Sequence, residues 1–128
     1  MTGAGFHVQL FARTPSAEVG WRLLSGNHRE AGRTAPAYPD AEACRIAIKE
    51  LQRDLPYFEQ RLRRVEPNRW MWELRTARGL VVATSGRAFD RLIRCEQAGA
   101  QFLEQFVDAP VAPAVVYTSA RRWGSVAS

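Results

Sequence analysis

Few residues of this chain have the types and spacing that catalysis needs. Ser25 and His28 come nearest to a nucleophile with a base. Both fall in Ser25-Gly26-Asn27-His28, a stretch of turn composition with no carboxylate to orient the imidazole, so a turn is the better reading. Cys44 and Cys95 stand near the start of two expected helices, where free amides can lower a thiol pKa. They also lie on the apolar stripe of those helices, where cysteine behaves as a small buried hydrophobe, and burial is the favoured reading. The chain has two histidines and two cysteines, with no CxxC or Cys/His pattern of a zinc site, so no metal is expected. Gly3-Ala4-Gly5 precedes a strand instead of following one, which excludes a phosphate loop. The expectation is a protein that is no enzyme and needs no cofactor.

The arginines offer more. The 128 residues carry a formal charge of +5, and Lys49 is the only lysine among 18 basic residues. Arginine and alanine enrichment is what GC-rich codon usage writes, so the total alone decides nothing. Its distribution is more informative: residues 53–94 hold ten arginines against five carboxylates, and the rest of the chain balances. Arg61 and Arg63, with Arg64 beside them, are expected on the outer face of a strand at 57–65. Arg75 follows on the next strand and Arg78 in the adjacent turn, so the five could track a phosphate backbone. The opposing reading is a wet sheet face whose charges pair with Glu59 and Glu73. At the other end, Arg121-Arg122-Trp123 in a small-residue tail is a candidate docking peptide for a protein partner.

Elements that would position these residues follow from periodicity. A shift of 51 residues lays Trp21-Arg22-Leu23 on Trp72-Glu73-Leu74, Tyr38 on Phe89 and Cys44 on Cys95, which reads as an internal duplication. In each unit, alternating apolar residues predict strands: Phe6, Val8 and Leu10; Trp21 and Leu23; Glu30 to Thr34; then Phe58, Gln60 and Leu62; Trp70, Trp72 and Leu74; Leu80 to Ser85. Asp40 and Asp90 are expected to cap helices over about 40–55 and 90–107, whose apolar residues recur at steps of three and four. Trp70 and Trp72 share the parity of Leu74, which assigns both to the core. A strand at Pro113–Thr118 closes the order βββα, βββα, β. The expected domain spans residues 1–118 as two repeats, 6–56 and 57–108, with a flexible tail at 119–128.

Trp21-Arg22-Leu23, Thr34, Tyr38 and the Ala47-Ile48…Leu51 helix together resemble the YegP-like family of small bacterial and archaeal domains. That family's repeats have a similar aromatic-x-Leu strand, Asn-Gly hairpin, Thr-Ser segment and Tyr-x-Ser helix entry. Thr84-Ser85 keeps the Thr-Ser pair and Thr34-Ala35 does not; Gly26-Asn27-His28 and Ala77-Arg78-Gly79 replace the Asn-Gly turn, and Gly99 replaces a helix isoleucine. The resemblance covers residues 6 to about 118. It implies an α+β fold in which tandem βββα repeats form one antiparallel sheet, with two helices on one face and a closing C-terminal strand. The segments after each helix, Arg53 to Val65 and Pro113 to Thr118, would cross to the other unit and bind the halves together. The motifs are structural, so no catalytic residue is carried over.

Met1 to Gly5 has no basic cluster followed by an apolar run, and no stretch approaches the roughly 20 apolar residues of a membrane span. A cytosolic protein is the expectation. Its expected role is a small interaction or regulatory module that self-associates or docks a protein partner along a sheet edge. Weak, sequence-tolerant RNA or DNA binding through the five arginines is the alternative.

Overall fold

The computed structural model describes residues 5–118. The chain runs β1 (His7–Ala12), β2 (Val19–Leu24), β3 (Glu30–Thr34), α1 (Ala41–Asp54), one 3-10 turn (Leu55–Tyr57), β4 (Glu59–Glu66), β5 (Arg69–Arg75), β6 (Val81–Thr84), α2 (Leu92–Phe106) and β7 (Val111–Tyr117). All seven strands form one sheet in the order β4-β5-β6-β3-β2-β1-β7. The fold is α+β, with the helices on one sheet face. The expected tail at 119–128 lies outside the described residues.

Period-two alternation sets that face. Val8, Leu10 and Ala12 of β1, Trp21 and Leu23 of β2, Ala83 of β6, and Trp72 and Leu74 of β5 are buried together with Cys44, Ile48 and Leu51 of α1. From α2 come Cys95, Phe102 and Phe106. The rings make a continuous stack: Trp72 to Phe102 at 4.6 Å, Phe102 to Phe106 at 5.0 Å and Phe106 to Trp21 at 5.0 Å between centroids. Trp70 departs from its expected place. It is only half-buried, packing against the margin of the core near the start of β5, with the Arg64 guanidinium 5.6 Å from its ring.

Local hydrogen bonds recur at the 51-residue spacing. Val19 bridges Tyr38, and Trp70 bridges Phe89. Ser25 N–H donates to the Arg29 carbonyl, and Thr76 N–H to the Leu80 carbonyl. His28 and Gly79 occupy the matching turn positions with φ of 65° and 88°. Leu80 belongs to that second turn and is 67% exposed, so β6 starts one residue later than expected.

Three further expectations are corrected. The sheet is not wholly antiparallel, since β7 runs parallel to β1, pairing Val8 with Val111 and Ala12 with Tyr117. After α1 the chain crosses to the other half and β4 pairs antiparallel with β5. After α2 it crosses back, but the corresponding place beside β2 is already held by β1. β7 therefore adds one position further out, running in the direction of β1. β4 lies at an edge against β5 alone, so the halves meet not through its pairing but where β3 pairs with β6 and where β7 pairs with β1. Last, Asp90 does not cap α2. Asp40 accepts a bond from Ala43 N–H at 2.8 Å and caps α1, but the residue 51 further on is Arg91, whose side chain has no acceptor. α2 thus begins at Leu92 with its first-turn amides free of any side-chain cap.

Candidate functional site

The nucleophile candidates are occupied elsewhere. Ser25 Oγ donates to Asn27 Oδ1 at 2.6 Å and accepts from Arg29 N–H at 3.1 Å, which makes it a turn residue. Cys44 and Cys95 are both fully buried. Burial pushes the Cys44 thiol up to about 11 and also raises Cys95, so neither is a thiolate at neutral pH. No helix among the described residues is long and apolar enough to cross a membrane.

The five sheet arginines are largely committed to neighbours. On the open face, Arg63 Nε meets Glu73 Oε2 at 2.7 Å, and Arg75 Nη2 meets Glu73 Oε1 at 2.8 Å. Arg61 sits 3.4 Å from Glu59. Arg64 is not beside Arg61 and Arg63: it pairs with Trp70 on the helix side of the sheet and donates twice to the Pro67 carbonyl, at 3.1 and 2.7 Å. Arg78 is exposed in the β5–β6 turn, with no ion pair among the described residues. The structure thus gathers Arg61, Arg63 and Arg75 on one face but neutralises most of their charge. Arg121, Arg122 and Trp123 lie outside the described residues.

The Glu73 clamp has a pH signature. Burial alone would raise this carboxyl, but hydrogen bonds from Arg75 and Arg63, together with their charges, hold it below the ordinary 4.5. A depressed folded-state pKa contributes stability above the unfolded value and loses it as pH falls through the folded one. Urea midpoints are therefore expected to drop on acidification below pH 4.5, and less steeply in Glu73→Gln. Identical pH slopes for the two proteins would refute the clamp. At neutral pH, Glu73→Ala should cost about 1–3 kcal/mol.

A cluster missed by sequence reasoning lies at the start of α2. Arg69, Arg87, Arg91 and Arg94 line a cleft of about 800 Å³, with Phe89 in its wall and Asp90 the single carboxylate. The Trp70–Phe89 bridge, with N–H to O distances of 2.8 and 2.7 Å, ties the β6–α2 loop to the first residues of β5. That bridge brings Arg69 within 3.6 Å of Asp90. Buried Ser85 braces the loop by donating to the Arg87 carbonyl at 2.6 Å, and the Arg87 guanidinium lies 4.7 Å from the Phe89 ring centre. Arg91 and Arg94 are exposed and have no carboxylate partner among the described residues. All four arginines fall within 53–94, so the charge excess read from the sequence did contain the signal.

No family model matches the sequence, and no curated protein matches it. Solved structures do. A UPF0339 protein from Shewanella oneidensis, solved by NMR, has a TM-score of 0.67 at 11% identity, over 87% of this chain and 92% of that one. The NMR structure of yegP from E. coli, described as a protein of unknown function, has a TM-score of 0.64 at 10% identity, over 89% and 97%. The chain has the YegP-like fold. At these identities the likeness is one of fold alone.

Departures from the YegP-like sequence pattern have local reasons here. Gly99 stands where the resemblance implies isoleucine because Gln60 of β4 reaches across to it, donating to its carbonyl at 3.1 Å. A Cβ on residue 99 would lie 2.7 Å from that amide oxygen. The two edges of this YegP-like sheet also differ. β4 carries five charged residues in eight, whereas β7, Val-Ala-Pro-Ala-Val-Val-Tyr, carries none.

Proposed function

We propose that this protein is a small, non-enzymatic cytosolic interaction module that associates with a second copy of itself along β7. The observation that supports this reading is the uncharged edge. Natural sheets protect exposed edges with charge, proline or bulges, and β4 follows that rule throughout its length. β7 follows it only in its first half. There Pro113 lacks an N–H, its carbonyl accepts from Arg45 at 2.6 Å, and the register with β1 is irregular. Ala114 to Tyr117 is free of charge and proline, Val116 and Tyr117 are 39% and 52% exposed, and nothing among the described residues pairs with the outer edge. A two-fold related copy offers the same edge, so pairing would desolvate no charge.

Sedimentation equilibrium tests it. The wild type should show concentration-dependent dimerisation that changes little with salt, because no ion pair is involved. Val116→Lys combined with Tyr117→Lys should remain monomeric with unchanged thermal stability. A wild type that stays monomeric at every accessible concentration overturns the reading. Nucleic-acid binding through Arg61, Arg63, Arg64, Arg75 and Arg78 has weaker support, since four of the five already have partners.

A further inference from the structure

We infer that the cleft between the start of β5 and the start of α2 binds a small phosphorylated molecule, with Arg91 and Arg94 as the principal phosphate contacts. Several features converge there. Four guanidiniums from three separate segments face one concavity against a single carboxylate, Asp90. Guanidiniums present forked donors that match phosphate oxygens, and gathering four against one carboxylate, which lies beside Arg69, costs self-repulsion that a bound anion would relieve. The first-turn amides of α2 have no side-chain cap, so they add donors and partial positive charge at the same end.

The molecule carries its own control for composition. The Val19–Tyr38 bridge matches the Trp70–Phe89 bridge, and α1 starts where α2 starts, 51 residues earlier. The positions that correspond to Arg69, Arg87, Arg91 and Arg94 are Glu18, Pro36, Asp40 and Ala43. A general arginine bias would enrich both halves; here one half has four cations and the other two acids. The charge is specific to this cleft.

Size and shape select the ligand class. About 800 Å³ is the scale of small-molecule sites, and the cleft is backed by the half-buried Phe89 ring with Arg87 against it. The loop that forms it is pinned by the Trp70–Phe89 bridge and by the Ser85–Arg87 bond, so its backbone is preformed. A compact, multiply charged phosphate fits such a cleft better than an extended backbone, which would need a longer open track of cations.

Inorganic triphosphate is the probe, with sulfate as a smaller, less charged anion for comparison, and the two double variants below test plain charge attraction. Isothermal titration should give one site on the full chain, at least roughly tenfold tighter for triphosphate than for sulfate. Amide shifts in an NMR titration should concentrate in residues 87–97. Arg91→Gln with Arg94→Gln should weaken triphosphate roughly tenfold or more. Both residues are exposed, so the fold should persist, and an unchanged melting temperature verifies this. Arg61→Gln with Arg78→Gln, on other surfaces, should leave affinity within about twofold. Equal affinity for sulfate overturns the selection of a multiply charged phosphate, and equal losses in the two double variants overturn the proposal as diffuse charge attraction. Tighter, salt-steep binding of a single-stranded oligonucleotide that both variant pairs weaken equally also overturns it, in favour of a nucleic-acid surface.

Discussion

Replacing Trp72 with alanine is expected to lower stability by about 3–5 kcal/mol, a large share of what a domain of this size has. The ring is completely buried and lies 4.6 Å from the Phe102 ring, at one end of the stack that continues through Phe106 to Trp21. Truncation would open a cavity under α2 that neighbouring rings cannot fill without leaving their own contacts. Its indole Nε1 is buried with no hydrogen-bond partner among the described residues, so the site uses the ring's bulk and not its donor. Trp72→Phe, which removes that unpaired donor, should therefore cost distinctly less than Trp72→Ala in denaturant titration. A loss below about 1 kcal/mol for alanine would show that the ring does not hold the helix to the sheet.

Gly32→Ala is the second large effect, and its sign is unusual. In an ordinary strand, alanine in place of glycine helps by roughly 0.5–1 kcal/mol. Here a Cβ would sit 2.6 Å from Phe102 Cδ1 and 2.8 Å from the Trp72 ring. Neither ring can yield, since both are buried and packed against each other. The expected cost is about 1–3 kcal/mol, as for overpacking elsewhere. Phe102→Leu in the same chain should cancel part of it, because the two changes share one space. Strict additivity in that double-mutant cycle, or a stabilising Gly32→Ala, would refute the close approach.

Much of this architecture could be read from the chain because the inner strands bury apolar residues at every second position. The spacing of Val8 and Leu10, of Trp21 and Leu23, and of Trp72 and Leu74 declares the buried face without any partner being known. The helices were equally legible, since Cys44, Ile48 and Leu51 can share one side only in a helix. The direction of β7 was not legible, because a strand's residues say which face is buried but not which neighbour it meets. Asp90 misled for a different reason. It is a good capping residue one position too early, and the helix starts where the matching residue is Arg91. The arginine cleft was invisible in a subtler way: Arg69, Arg87 and the Arg91–Arg94 pair come from three segments that only the Trp70–Phe89 bridge brings together. Arg64 fell on the helix side because its parity is that of Leu62, which its place directly after Arg63 obscured.

The narrow contact between β3 and β6 has a thermodynamic meaning. Its register extends only over Arg33–Thr84 and Thr34–Ala83, so this ladder by itself fastens the two halves weakly, and the β1–β7 pairing adds to it. The rings fasten them further, for Phe102 and Phe106 belong to the second half yet cover Trp21 of the first. Either half alone would leave a tryptophan face in water, and neither is a minimum by itself. Cooperativity in this protein thus travels through four aromatic side chains as well as through the β3–β6 and β1–β7 pairings. Although each half has its own turn, bridge and helix, the two make a single folding unit.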